Sequence, residues 1–380
     1  MTASVLIDAG NLVAGGGVQV GASFLDELGR RAHDPEAQQR WPWLADVVVE
    51  ASEEVVANTT GETTSLSVEI VDGRPLDRLR RRPGRPAHDV SFTVFGPDYG
   101  PRRARTRVVG FADVTSLFPE FAAVPGARAR LRQAVRSRVS RQRFARADVV
   151  VAESSYVAAE LQQRWSIPAD RLRVVPNVLN RVFFDESLQT PLSHDAFEHP
   201  VFAFPTRAYP HKNLVVLGAA AQALHDTYGR DVRFALTLTD AEWQGLDPAT
   251  RKVSHNVGPL RVSQVPGLYD VSDGVVFPSL NECFSVTPLE AMRSRRPLVA
   301  SDRQFVREVA GDAAWYFEPT DPASLARALA DVLSADDGAR ERRVAEGGRV
   351  ADGWATGADR ATAYLELIHE ALARRATSPT

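Results

Sequence analysis

The chain has one cysteine, Cys283, so no internal disulfide can form and a disulfide-stapled scaffold is excluded. No apolar run approaches the roughly 18–20 residues of a membrane span. The amino terminus has no basic stretch ahead of an apolar core, so no signal peptide is expected. No cluster of His, Cys, Asp and Glu suggests a metal site. The dinucleotide fingerprint Gly-x-Gly-x-x-Gly is missing, and there is no internal repeat or long low-complexity segment. Lysine is nearly absent: Lys212 and Lys252 stand alone in an arginine-rich chain. The formal net charge of -3 argues against a general nucleic-acid binder. What remains is a chain of 380 residues, 44% hydrophobic and 24% charged, suited to two ordinary globular domains and read most simply as a cytoplasmic enzyme.

The most informative stretch runs from Pro278 to Met292. It holds Glu282 and Glu290, with Cys283 to Leu289 between them. The apolar run Gly274–Phe277 before it reads as a buried strand, and Pro288 suits the first turn of a helix. One carboxylate then lies on the loop leaving a strand and the other in a helix's first turn. Ligands of open parallel sheets bind at the carboxyl ends of strands. Carboxylates accept from hydroxyls, while amides near a helix start face an anion. Spacing alone leaves two readings open. Glu290 complements a helix dipole and Glu282 is a solvated loop acid, or both belong to a site for a ligand bearing hydroxyls and phosphate.

A second strand–loop–helix lies at Val201–Leu214. Apolar residues lead to Arg207, Tyr209-Pro210 punctuates the loop, and the helix is expected to start near Lys212 and continue through Ala223. Arg207 and Lys212 would flank that helix start. Cations there oppose the helix dipole, so a purely structural role explains them poorly. With free helical amides they would make a diphosphate clamp, set against a chance surface placement.

At this point the chain resembles the retaining nucleotide-sugar glycosyltransferases of family 4. The resemblance rests on Arg207-x4-Lys212 followed by Glu282-x7-Glu290, and it covers nearly the whole chain. Ala147–Ser155, Arg171–Val178, Pro297–Ser301 and Glu308–Ala314 are similar to further family segments in the same order. It implies an α/β chain of two Rossmann-like domains with parallel sheets facing across a cleft, the GT-B fold. It implies that Arg207 and Lys212 hold the donor diphosphate, that Glu282 contacts the transferred sugar and that Glu290 accepts from the ribose hydroxyls. Amides around Phe284, Ser285 and Val286 would cradle the sugar-side phosphate. Val257 and Leu260 fall where the family's nucleobase loop lies. Gly16 and Gly17 fall on the amino-terminal loop that faces the donor phosphates, although a glycine triplet by itself reads as a tight turn. The implied donor is a nucleotide diphosphate-sugar used without cofactor or metal. The implied acceptor is a glycan or lipid-linked hydroxyl.

The sequence departs from the family pattern in places. After the strand at Thr106–Phe111, relatives carry His-Asp; here Ala112 precedes Asp113, which keeps the acidic position among the catalytic candidates. His88-Asp89 is weighed as a spatial substitute against an ordinary surface pair. Arg295-Arg296 stands where relatives have Gly and a small residue, and Cys283 and Ser285 replace loop glycines. Cys283 reads as a small packing residue or a reactive thiol.

From Arg74 to Arg146 arginine is frequent and the acids are Asp77, Asp89, Asp98, Asp113 and Glu120 only. Within 128–146, Leu131, Val135, Val139 and Phe144 recur at helical spacing. Two readings stand side by side: peripheral contact with an anionic membrane or lipid-linked acceptor, and a core-packed helix with a solvated arginine face. The first domain is placed at 1–180, a polar linker at Asp185–His199, the second domain at 200–355, and a last helix within 356–380 that packs back on the first. Arg80–Pro86 reads as a loop. The expected activity is retaining transfer of a sugar to a hydroxyl. The alternatives are a nucleotide-sugar epimerase and a non-catalytic scaffold that keeps donor binding.

Overall fold

Short runs of β-branched and aromatic residues, such as Val149–Ala152 and Gly274–Phe277, are buried along their whole length. Strands covered on both faces require this. The computed structural model describes residues 3–71, 87–98, 103–122, 126–192 and 200–376. The expected Arg80–Pro86 loop lies outside the described residues. The chain divides into two units.

The first unit carries a parallel sheet. Its described strands are β1 (Val5–Ala9), β2 (Val48–Ala51), β3 (Val68–Ile70), β4 (His88–Thr93), β5 (Ala104–Phe111), β6 (Val149–Ala152) and β7 (Leu172–Val174), in the order β3-β2-β1-β4-β5-β6-β7. The second unit extends from Leu179 to Trp354 and carries another parallel sheet. Its described strands are β8 (Val201–Phe204), β9 (Arg233–Leu236), β10 (Ser254–Asn256), β11 (Gly274–Phe277), β12 (Leu298–Ser301) and β13 (Ala314–Phe317), in the order β10-β9-β8-β11-β12-β13. Each sheet therefore reverses its winding once, between β1 and β4 and between β8 and β11. In doubly wound sheets the loops after the two strands at that reversal open a ligand crevice.

The helix Gly357–Ala376 belongs to the first unit. Tyr364, Leu365 and Ile368 enter its core, and the Tyr364 ring meets Phe24 edge-on at 5.2 Å. Arg360 on the same helix is buried, and burial pulls its guanidinium below the ordinary arginine value. It donates to Asn177 Oδ1 at 2.6 Å and to Ser23 Oγ at 3.0 Å. A buried cation needs such partners.

Of the stretch expected to be a linker, residues 185–192 belong to the second unit and 193–199 lie outside the described residues. Thr190 donates its amide to Ser263 O at 2.8 Å, which ties this segment to the second unit.

The Ala127–Phe144 helix buries Ser140 and Phe144 only. Leu131, Val135 and Val139 are 66%, 54% and 39% exposed. The core-packed alternative fails for this apolar stripe, because its spacing of four residues aligns the three side chains on an outward face. Among the described residues, no helix is long and apolar enough to cross a membrane.

Candidate functional site

The loops after β8 and β11, the two strands at the reversal of the second sheet, carry Arg207 and Lys212 on one side and Glu282 on the other. Glu290 follows in the helix Thr287–Arg293, with Pro288 in its first turn. Strand and proline sit where the apolar run and the residue type predict them. The helix after β8 does not. It spans Val215–Tyr228, while Pro210–Lys212 forms one 3-10 turn. Asn213 intervenes with φ 56°, a left-handed conformation that asparagine tolerates. Its side-chain amide donates to Pro278 O at 3.2 Å and Pro319 O at 2.8 Å. These bonds divert the chain before the helix can begin, so the helix starts three residues after Lys212, at Val215.

Lys212 is mostly buried. Its Nζ donates to Glu282 Oε1 at 2.8 Å and lies 5.9 Å from the ring centroids of both Phe204 and Phe277. Strand residues of β8 and β11 thus hold the ammonium against the loop carboxylate. Arg207 is more exposed. Its Nε donates to both oxygens of Glu242, at 2.8 and 3.0 Å. Glu242 also accepts from the Ala208 amide at 3.2 Å and closes a capping box with Thr239. These donors hold its carboxyl at about 2, despite burial acting the other way. The contacts to Arg207 pass through Nε, so the two terminal guanidinium nitrogens can still face a phosphate.

Glu290 is buried, and its Oε2 accepts from the hydroxyl of Tyr269 at 2.7 Å. Burial pushes the Glu290 carboxyl up to about 7, against the lowering effects of Tyr269 and Lys212. Burial also pushes the Tyr269 hydroxyl well above its ordinary value, so it stays a donor. His211, beside Lys212, is buried with its Nδ1 unpartnered among the described residues, and burial lowers its pKa. Among the described residues no group accepts from the amides of Phe284, Ser285 and Val286, which lead into the Thr287–Arg293 helix. They form an open set of donors. Cys283 is buried in this loop, as the packing reading expects. Val257 follows β10 and donates its amide to Leu236 O at 2.8 Å. Asn256 binds both the amide and the carbonyl of Leu238 at 3.0 Å, which fixes the loop carrying Val257 and Leu260 beside the loop that leads to Glu242.

The second unit thus carries Arg207 and Lys212 after β8, Val257 and Leu260 after β10, and Glu282, Phe284, Ser285, Val286 and the helical Glu290 after β11, all beyond the carboxyl ends of parallel strands. Gly16, Gly17 and Asp113 belong to the first unit. Gly16 and Gly17 open the helix Gly16–Ala32, preceded by Gly15 at φ 71°. Asp113 caps the turn Val114–Leu117 through Ser116 N at 3.2 Å. Its carboxylate also meets Arg136 at 3.4 Å and Ser140 Oγ at 3.3 Å. Both of its oxygens are thus engaged within the first unit. His88 lies at the amino end of β4, while Ala112 follows the carboxyl end of β5. It cannot replace the histidine missing at Ala112, because β4 and β5 run parallel and put the two positions at opposite sheet ends.

Two residues of the site escape motif reasoning. Glu242 carried a signal, the Thr239-x-x-Glu242 capping-box pattern, but nothing in it points to Arg207. Tyr269 carried none.

Residues 199–335 match the family described as Glycosyl transferases group 1, and residues 116–181 match Glycosyltransferase Family 4. Each half of the chain thus holds a glycosyltransferase segment. Among curated proteins, the O-antigen chain mannosyltransferase RfbU of Salmonella typhimurium is 23% identical over 197 residues. That match takes in 50% of this chain and 52% of the relative, so the chain is aligned with about half of that protein. Among solved structures, sucrose-phosphate synthase from Thermosynechococcus elongatus superposes with a TM-score of 0.68 at 15% identity, covering 98% of this chain and 100% of that one. Anabaena Alr3699/HepE, solved in complex with UDP-glucose, gives 0.66 at 17% identity, with coverage of 98% and 100%. These likenesses establish the fold, two Rossmann-like parallel-sheet domains of the GT-B class.

Proposed function

We propose that this chain, with a glycosyltransferase segment in each half, transfers a hexosyl group from a nucleotide diphosphate-sugar to a hydroxyl acceptor in the synthesis of a cell-surface or lipid-linked glycan. The observation that carries the reading is the convergence of Lys212, Glu282 and Arg207 at the reversal of the second sheet. The similarity to RfbU, a mannosyltransferase by name, and to HepE, solved with UDP-glucose, supports a nucleotide-hexose donor. In this account the bond between the sugar's anomeric carbon and the phosphate oxygen breaks. The acceptor oxygen bonds to that carbon and its proton passes to an oxygen of the leaving diphosphate. Anomeric configuration is retained. Arg207, Lys212 and the open amides of Phe284, Ser285 and Val286 stabilise charge growing on the diphosphate, which is the work such preorganised donors do best. These charges serve in place of a metal. Glu282 orients the sugar hydroxyls, Glu290 the ribose and the 257–260 loop the base.

Lys212→Ala is expected to lower kcat by at least roughly tenfold while the fold persists, as loss of a charge contact made in the transition state should. Turnover equal to wild type would remove Lys212 from the clamp.

The exposed Leu131, Val135 and Val139 lie among Arg128, Arg130, Arg132, Arg136, Arg138 and Arg141, all exposed as well. An apolar stripe ringed by arginine suits the surface of an anionic bilayer, where a lipid-linked acceptor resides. The chain is expected to co-sediment with vesicles containing phosphatidylglycerol and to lose this with Leu131→Glu. Equal sedimentation with neutral phosphatidylcholine vesicles, or none with either, would contradict the contact.

A further inference from the structure

The hydroxyl of Tyr269 is buried completely and makes one described hydrogen bond, to Glu290. Tyr269 sits in the short helix Val265–Asp270, which follows the loop carrying Val257 and Leu260. Its ring also tilts against Phe183 at 6.2 Å, so the side chain has little freedom. One side chain thus joins the helix after the base loop to the carboxylate on the next strand's helix.

We propose that Tyr269 is a positioning residue for the nucleotide: its hydroxyl occupies Oε2 of Glu290, so that Oε1 alone is offered to the ribose hydroxyls. The inference rests on the donor site proposed above and adds a residue and a dependence to it. With Oε2 held by this hydrogen bond, the carboxyl is fixed in orientation, and a ribose diol finds its acceptor already placed. Two hydroxyl donors on Oε1 favour the charged form. Nucleotide binding is then coupled to release of the Glu290 proton to solvent.

The groups acting on Glu290 are few. Tyr269 approaches from the Val265–Asp270 helix, and Lys212 from the turn after β8. Lys212 is itself engaged by Glu282 on the loop after β11. On its own helix, Arg293 is engaged by Phe183 O and Asp352. Burial holds the carboxyl near 7, and the Tyr269 hydrogen bond lowers it. Removing that hydrogen bond moves the titration to higher pH and weakens nucleotide binding most near neutrality.

The test is calorimetric titration of the full chain with UDP, GDP and dTDP at pH 6, 7, 8 and 8.5. It compares wild type, Tyr269→Phe and Glu290→Gln, each checked for folding by its melting curve. The tightest-binding nucleotide is used throughout. Glu290→Gln reports the nucleotide's own phosphate titration near pH 6. Relative to it, wild-type affinity is expected to rise roughly tenfold between pH 6 and pH 8, one decade per pH unit until the carboxyl is charged. Tyr269→Phe is expected to bind roughly tenfold more weakly at pH 7 and to recover most of that loss at pH 8.5. A Tyr269→Phe deficit that is the same at every pH, or no deficit, overturns the inference. A wild-type slope identical to that of Glu290→Gln overturns it too, and needs no tyrosine variant. If none of the three nucleotides binds wild type, the donor site falls and this inference with it.

Discussion

Glu290 illustrates how a binding residue burdens the empty fold. Its carboxyl is buried and titrates at about 7, above the ordinary 4.5. The folded chain therefore holds this proton more tightly than the unfolded chain does. Stability from this group is complete below pH 4.5 and is lost as pH rises through 7, a change of about 3 kcal/mol for a shift of this size. Glu290→Gln is neutral throughout and still accepts from Tyr269. Denaturant melts without nucleotide are expected to show it more stable than wild type at pH 8 and nearly equal at pH 5. Parallel stability profiles for the two proteins would contradict the buried, proton-holding carboxyl. The sequence disclosed the acids and cations of this site because strand, loop and proline positions constrain them. It did not disclose Tyr269 or Glu242, because their partners lie on other loops and only the folded sheet brings them together.

At the scale of elements, strands were legible and helix starts were less so. Buried runs such as Val201–Phe204 and Gly274–Phe277 announce themselves, since both faces must be apolar. The helix after β8 starts later than its composition suggests, because Asn213 spends its side chain on two distant carbonyls. Arg295 shows the reverse case, a departure whose meaning appears only in three dimensions. It follows the Thr287–Arg293 helix with φ 54°. The amides of Arg295 and Arg296 return to Met292 O and Ala291 O at 3.1 and 2.9 Å, the two bonds of a Schellman motif. Glycine is the usual residue there, which accounts for the family's preference. Here the arginine is retained by Asp352 at 2.7 Å and by space over Gly348, where a Cβ would fall 1.1 Å from Arg295 Nη1. Arg295→Gly and Arg295→Ala both lose the ion pair, but only glycine relieves the left-handed backbone. The glycine variant is expected to exceed the alanine variant by about 1 kcal/mol in thermal or denaturant melts. Equal stabilities, or the opposite order, would contradict the strain.

At the scale of the whole molecule, the second sheet reverses its winding between β8 and β11 and thereby sets the loops of Arg207 and Glu282 side by side. The order of strands in the sheet, and with it this adjacency, is not written in any single motif. The resemblance to family 4 implied in advance only that both loops serve one donor; the hydrogen-bonded ladders of β11 with β8 and of β8 with β9 set them side by side. The paired state of the cations was not anticipated. Glu242 holds Arg207 and Glu282 holds Lys212, so a diphosphate must compete with, or share, two carboxylates. That competition makes nucleotide binding itself the central claim. The direct measurement is thermal stabilisation by UDP, GDP and dTDP with chelator present. A ligand at about 100 times its Kd adds about 2.7 kcal/mol, which a melting curve resolves. The account predicts a clear shift with at least one nucleotide and its loss in Lys212→Ala. No shift with any of the three, or a shift that survives Lys212→Ala undiminished, would contradict it.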